Sequence, residues 1–401
     1  MTVFLSSLFI LVMVFGGLYV QIFVIGKKRK PIAYDPAYEK VRAENYPPAF
    51  PDGWFSLCSG DSVKKGKVIE VDALGRRFAV FRGQDGKIGV MDAYCPHLNA
   101  NLAYGKVKGN SLVCPFHGWQ FNTQGKCTGI PYSDKLPQQE NKKLFFQETW
   151  GLILLWYHSA GEEPSWQTGG LIPELATYQY HSRTSDILRI HLQDFAENGA
   201  DFAHFNFVHN LLTIPFANRF INVKHTVTLE IGEGDQGHTA SFTDQADLVW
   251  KHNDKEIPHA GGAARVTYYG PGFLVFRFQT KIGNILLVKT FTPMGPLKVK
   301  MEDYVYAPKY TFPISIKYLL GEASAQFHDD INIWERKNYA VRPLLVKGDG
   351  PIMKMRAWYS KFYSEAPVPA VIKPLEPREI TYAMSHSVKG VGIRQFLNKV
   401  Q

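Results

Sequence analysis

Two short clusters, Cys95-Pro96-His97 and Cys114-Pro115-Phe116-His117, stand sixteen residues apart, and each joins a thiol to an imidazole. Zinc is also held by two Cys and two His, but zinc fingers keep Cys beside Cys and His beside His along the chain. The alternating order suits a Rieske [2Fe–2S] centre, where one iron takes two thiolates and the other two imidazoles. Imidazole is neutral where thiolate is anionic, so such a cluster is less negative and its reduction potential rises. A zinc ribbon and a chance coincidence are the weaker alternatives.

A second set of donors lies further on. Asn198, Asp201 and His204 are spaced by three, so one helical face can present all of them. His209 follows His204 by five residues, about 140° around an ideal helix. The two imidazoles therefore converge on one ion only if the helix loosens or ends between them, and Phe205-Asn206-Phe207 is the expected place. Two His and one carboxylate form the triad of non-haem Fe(II) oxygenases, with positions left open for O2. Alone, the pattern reads more readily as two satisfied core histidines; beside a Rieske cluster, which must send its electrons somewhere, a metal site is the better reading. The stretch Ser324–Lys337 offers the acid. Phe327, Ile331 and Trp334 share one helical face with Asp330 at its edge, whereas Asp329 falls on the solvent side with Asn332. A carboxylate bordering an apolar face needs a partner. That favours Asp330 over Asp329, with His328 a lesser alternative.

The elements that must position these residues follow from periodicity. From Trp54 to about Tyr157 the chain reads as all-β, with Lys67–Val71, Arg77–Arg82, Lys87–Met91, Ser111–Val113 and Trp150–Tyr157 as strands. Beyond about 168 a helix is expected over Leu192–Phe205. Strands follow at Val223–Ile231, Thr239–Trp250, Arg265–Tyr269, Phe273–Gln279, Ile285–Pro293 and Lys298–Ala307, then a long helix from about Ile314 to Tyr339. Strands followed by a long helix predict an α+β domain, an antiparallel sheet curled around a helix.

A length of 401 residues suggests two domains of ordinary size, and 45% hydrophobic content supplies a core. Four cysteines leave only Cys58 and Cys127 beyond the cluster motif, and no Asn-x-Ser/Thr acceptor is present, which together point to a reducing environment. Residues 2–25 carry no charge and are long enough to span a bilayer, and Lys27-Lys28-Arg29-Lys30 follows at once. A cleaved secretory signal is the competing reading. The expectation is a single-pass anchor over residues 1–26, in the endoplasmic reticulum with a cytosolic catalytic body, then a linker over 27–50, a Rieske domain over 51–161 and a catalytic domain over 165–401. The net charge of +9 owes four units to that basic run, and no other block of such density supports nucleic-acid binding.

With these residues in place, the chain resembles the Rieske-type non-haem iron oxygenases over nearly everything after the expected anchor. Cys95, His97, Cys114 and His117 match the family's cluster motif, Asn198, Asp201, His204 and His209 its N-x2-D-x2-H-x4-H pattern, and Asp330 in D-I-N-I-W-E its third iron ligand. The resemblance implies a helix-grip (START-like) catalytic domain and a homotrimer in which one subunit's cluster faces its neighbour's iron. Electrons would then pass by way of His117 and Asp201. It also implies O2 as oxidant and NAD(P)H as electron source, through a separate flavin-containing reductase or ferredoxin. The hydrophobic N-terminus and the YYGPG and DDINIWERK stretches resemble animal cholesterol 7-desaturases, which implies a sterol substrate. A Rieske hydroxylase acting on another apolar ring system is the enzymatic alternative. An electron-transfer protein with no chemistry of its own is the alternative of another class.

Overall fold

The computed structural model describes residues 35–137, 143–212, 217–258, 260–280 and 283–364. After helix α1 (Pro36–Ala43), ten strands build a first lobe: β1 (Gly53–Ser59), β2 (Val68–Ala73), β3 (Arg76–Arg82), β4 (Ile88–Asp92), β5 (Lys106–Lys108), β6 (Ser111–Val113), β7 (Gln120–Phe121), β8 (Cys127–Gly129), β9 (Phe146–Thr149) and β10 (Leu152–Tyr157). They form three small antiparallel sheets, β1-β10-β9, β2-β3-β4 and β5-β6-β7-β8. Two of the hairpins turn on two residues that both have positive φ, Leu74-Gly75 and Trp150-Gly151. Such a turn matches the right-handed twist of its strands but strains a non-glycine at its first position. Packing accounts for both exceptions: Leu74 is buried and its N–H donates to the Pro293 carbonyl, while Trp150 lies against Phe273.

The second lobe consists of β11 (Tyr178–Leu188), α2 (Leu192–Asn198), α3 (Phe202–Val208), β12 (Ile221–Ile231), β13 (Thr239–Trp250), β14 (Gly262–Tyr269), β15 (Phe273–Thr280), β16 (Gly283–Gly295), β17 (Lys298–Pro308), α4 (Pro313–Trp334) and α5 (Ile352–Ser360). Among the described residues its sheet has seven antiparallel strands in the order β11-β17-β16-β15-β14-β13-β12. The six strands from β12 to β17 are a simple meander, and β11 closes the far edge. Consecutive strands β11 and β12 thus lie at opposite edges, and α2 and α3 belong to the connection between them. Aromatic contacts set α2 and α4 against the sheet: Phe195 stacks on Phe291 at 4.0 Å and meets Trp334 edge-on at 5.7 Å, and Phe276 meets Phe327 at 5.6 Å. Burial of side chains of this size stabilises by about 1.5–3 kcal/mol each.

Several expectations need correction. The helix expected over Leu192–Phe205 is two helices, broken at Gly199-Ala200-Asp201, because Asp201 leaves the helical conformation and caps α3 with its own carboxylate. The long helix ends at Trp334, five residues before Tyr339. Within the stretch expected to be a linker, residues 35–50 include helix α1 and dock on the second lobe through the buried side chain of Arg42. The single-pass membrane address is not supported. No helix among the described residues is long and apolar enough to cross a bilayer, and the longest, Pro313–Trp334, includes Lys317, Asp329 and Asp330. Residues 2–25 and the tail from Glu376 lie outside the described residues.

The lobes are bonded where β1 runs against the large sheet. Thr292 Oγ1 donates to the Ser56 carbonyl at 2.6 Å, Lys300 Nζ donates to the Leu57 carbonyl at 2.9 Å, and Gly272 has the Trp54 carbonyl directly against it. Thr292 is fully buried, so Thr292→Val leaves that carbonyl unsatisfied. The variant is expected to lose about 1–3 kcal/mol, read as a lowered thermal midpoint with iron content unchanged.

Candidate metal centres

The cluster motif occupies two loops of matching shape at the end of the first lobe. In one, the Asn99 N–H donates to the Cys95 carbonyl and the Cys95 N–H to the Ala100 carbonyl; in the other, the Gly118 N–H donates to the Cys114 carbonyl and the Cys114 N–H to the Trp119 carbonyl. The fifth residue of each loop, Asn99 or Gly118, has positive φ, which suits Asn and Gly. At Gly118 a Cβ would also strike the Pro131 ring, at 2.8 Å. The loops bring the four donors together. Cys95 and Cys114 are buried, unbridged and close enough to interact, and the His97 and His117 rings lie 4.8 Å apart. His97 lies flat on Trp119 at 4.7 Å, and Trp119 Nε1 donates to Tyr132 Oη at 2.8 Å, so the ring is held from outside.

Burial, together with the neighbouring Cys114 thiol, pushes the Cys95 thiol up to about 11. Protein alone therefore keeps Cys95 neutral, and a cation is needed to draw out the thiolate. His117 Nδ1 is buried with no hydrogen-bond partner. Two thiols, two imidazoles and an orphaned ring nitrogen fit a Rieske cluster. Of the other two cysteines, Cys58 is buried in a separate core, and Cys127 in the same small core as Cys95 and Cys114.

The second set converges as well, by a different route from the one expected. Asn198 ends α2, Asp201 caps α3, His204 lies in its first turn, and His209 is the residue at which α3 stops. The turn that lets His209 swing round is therefore at its own position, past the expected Phe205-Asn206-Phe207. One ligand atom each of His204, His209 and Asp330 lies within 4.8 Å of the others. His209 Nε2 is 3.1 Å and His204 Nε2 4.0 Å from Asp330 Oδ1. Asp330 is buried, while Asp329 is exposed. Burial lowers the His204 pKa against the opposing pull of Asp330.

Hydrogen bonds orient these groups. His204 Nδ1 faces the Asp201 carbonyl, which only accepts, so the proton sits on Nδ1 and Nε2 keeps its lone pair to accept a hydrogen bond or bind a metal. The Asn198 amide donates to His204 Nε2 and to Asp330 Oδ2, each at 3.1 Å. His209 Nδ1 is buried without a partner. Two imidazoles and one carboxylate in an apolar recess make a donor set suited to Fe(II), and the residues present fit it. The Asp201 carboxylate accepts from the His204 N–H at 3.2 Å and remains 39% exposed.

Two supporting residues escape motif reading. His225 Nδ1 lies 2.9 Å from an Asp244 oxygen, and Nε2 lies 3.1 Å from the His209 carbonyl. Both partners only accept, so both ring nitrogens carry protons, and Asp244 pulls the His225 pKa up against burial. The imidazolium fixes the backbone at the end of α3. The usable signal was the alternation of β12, which turns His225 inward with Val223.

Two of the three donors, His209 and Asp330, stand at the wall of a cavity of ≈ 390 Å³ lined by Phe195, Phe205, Val223, Phe242, Val266, Tyr268 and Phe276 among others. That lies within the usual range of about 300–1,000 Å³ for small-molecule sites. A second cavity of ≈ 410 Å³ lies among β11, β16, β17 and α4, and Ala323 and Phe327 line both.

Residues 53–140 match the Rieske [2Fe-2S] domain, and residues 155–363 match the 3-ketosteroid 9alpha-hydroxylase C-terminal domain. The chain is 34% identical over 322 residues to the cholesterol 7-desaturase nvd of Bombyx mori, covering 80% of this chain and 71% of that protein. It is 30% identical over 340 residues to a probable 3-ketosteroid-9-alpha-monooxygenase, oxygenase component, of Rhodococcus rhodochrous, covering 79% of this chain and 81% of that protein. The crystal structure of dicamba monooxygenase bound to dicamba shares the fold, with a TM-score of 0.57 at 17% identity over 78% of this chain and 97% of that one. A thiol–imidazole pair of loops on one lobe and a convergent His-His-Asp set on the other accord with these matches: the chain belongs to the Rieske-type non-haem iron oxygenases, in the family of the cholesterol 7-desaturases.

Proposed function

We propose that the chain is a sterol 7-desaturase, which converts cholesterol to 7-dehydrocholesterol in steroid-hormone synthesis. The observation that carries this reading is an apolar cavity whose wall includes His209 and Asp330 of the clustered His204, His209 and Asp330 set, in a chain one-third identical to relatives named for that reaction. The enzyme is an oxidoreductase that uses a [2Fe–2S] cluster, a mononuclear iron, O2 and NAD(P)H electrons delivered by a separate reductase or ferredoxin. Cys95, His97, Cys114 and His117 would hold the cluster, and His204, His209 and Asp330 the iron, which when bound supplies O2 activation next to the substrate.

The chain's own residues set the conditions. The Asp201 carbonyl holds His204 in the tautomer a metal requires, and the Asn198 amide holds Asp330 through Oδ2, leaving Oδ1 toward the imidazoles. Phe205, Phe242 and Tyr268 exclude water and leave an apolar ring system as the fitting occupant. Loss of hydrogen from both C7 and C8, with O2, an electron pair and protons consumed, gives the alkene and water. Oxygen insertion at one carbon gives an alcohol. That second reading, steroid hydroxylation, is favoured by the family matched over residues 155–363 and by the Rhodococcus relative.

The reading extends to a homotrimer. Leu98, Phe116 and Tyr132 are exposed around the cluster loops, and Phe207 and Leu211 are exposed beside His209. Two apolar faces at different places on one chain suit a head-to-tail ring, which would bring a neighbour's His117 to the exposed Asp201 carboxylate.

Incubation with labelled cholesterol, NADPH and a reductase is expected to yield the C7–C8 alkene by mass analysis. An alcohol product assigns the hydroxylase instead, and neither product from a reducible cluster removes both readings. His209→Ala is expected to lower iron from about three to about two per chain with an unchanged cluster spectrum; a retained third iron contradicts the assignment. Asp201→Ala is expected to keep both metals while turnover falls roughly 10–100-fold, and unchanged turnover rules out the electron route.

A further inference from the structure

We propose that Arg42, far from the site in sequence, is a positioning residue for the iron centre, acting through Trp334 and Asn198; this rests on the reading of His204, His209 and Asp330 as iron ligands. Arg42 stands on α1 and is 2% exposed. Its guanidinium donates from Nε to the Lys337 carbonyl at 2.8 Å, from Nη2 to the Trp334 carbonyl at 2.6 Å and from Nη1 to the Arg189 carbonyl at 3.1 Å. Trp334 is the last residue of α4, and carbonyls at a helix C-terminus lack intrahelical partners and carry partial negative charge. One planar cation with five fixed donors satisfies three carbonyls from two segments at once. Lysine, a point charge, offers no such fork.

From Trp334 the bonded path continues inward. Its indole Nε1 donates to Asn198 Oδ1 at 3.3 Å, and the Asn198 amide donates to His204 Nε2 and Asp330 Oδ2. Arg42 therefore grips the turn of α4 that follows Asp330, and Trp334 grips the amide that holds Asp330 by Oδ2 while Oδ1 faces the imidazoles. The same segment holds the start of α2. Tyr46 Oη donates to Asp194 Oδ2 at 2.9 Å, and Asp194 closes the capping box of the helix that ends at Asn198. Residues 35–50 thus tie together the two helices whose ends meet at the metal site. Burying a guanidinium costs several kcal/mol of hydration. A methionine of similar reach would pack as well against α4 but could not set its last turn. A donor set tolerates displacement of only about 0.5 Å, so the angular setting of that turn reaches Asp330 directly.

The test uses the full chain and Arg42→Gln, with Arg42→Lys beside it. Three quantities are read: iron per chain, the cluster's electron paramagnetic resonance, and the spectrum of the nitric oxide adduct of the mononuclear Fe(II). Arg42→Gln is expected to weaken iron retention at the mononuclear site roughly tenfold and to alter the adduct spectrum, with the cluster signal unchanged and Lys restoring only part. Parent-like iron retention and adduct spectrum in Arg42→Gln, at whatever thermal midpoint, overturn the proposal. Should Arg42→Gln fail to fold, Trp334→Phe cuts the next link, and the same signature supports the path while parent-like values overturn it. A parent chain with no third iron is a separate failure, of the iron-site reading itself.

Discussion

The placement of β11 and β12 at opposite edges of one seven-stranded sheet governs the second lobe. A chain that leaves one edge must cross a face of the sheet to begin the other, and here that crossing contains α2 and α3. Four of the polar residues of the site are strung along it: Asn198 at the end of one helix, Asp201 at the break, His204 in the first turn of the next and His209 at its end. The chain enters α4 directly from β17, and Asp330 on that helix meets the two imidazoles. The site is thus built where two traversing segments meet, over a floor of aromatic side chains supplied by the strands.

Most of this was legible in the sequence because the signals are local. Cys-x-His and Cys-x2-His specify a donor set by type and spacing alone, and the period-2 runs from Val223 to Ala307 match the strands within a few residues. The choice of Asp330 over Asp329 followed from helical periodicity, since two adjacent residues on a helix cannot share a face, and burial separates them accordingly. What escaped was non-local. Nothing near Asp201 announces that its own carboxylate will take the N–H of His204 and end one helix to start another. His225 and Asp244 are ordinary residues until β12 and β13 pair and set them together. Arg42 falls in the stretch that reads as a linker, and the three carbonyls it grips lie more than a hundred residues away.

The two lobes solve the donor problem differently. The cluster loops hold their cysteines through backbone bonds repeated in both copies, so local turn geometry specifies them. The donors proposed for iron come from two helices, α3 with its cap and α4, and are held by side chains, an amide, an indole and an imidazolium, each fixed by something further out. A loop-borne site survives as long as its turns form. A site assembled from helix ends depends on how those helices are packed.

Phe327 bears on how such an enzyme could diversify. One ring forms part of the wall of two neighbouring chambers of similar size, and a cation, Lys289, rests against that ring at 3.7 Å. Descendants that trimmed this one side chain would enlarge the room available to a guest molecule while replacing no metal donor, but would lose a ring that packs α4 on the sheet and against Trp334. Substrate breadth in this lineage is thus tied to the packing that carries its chemistry, through a single partition.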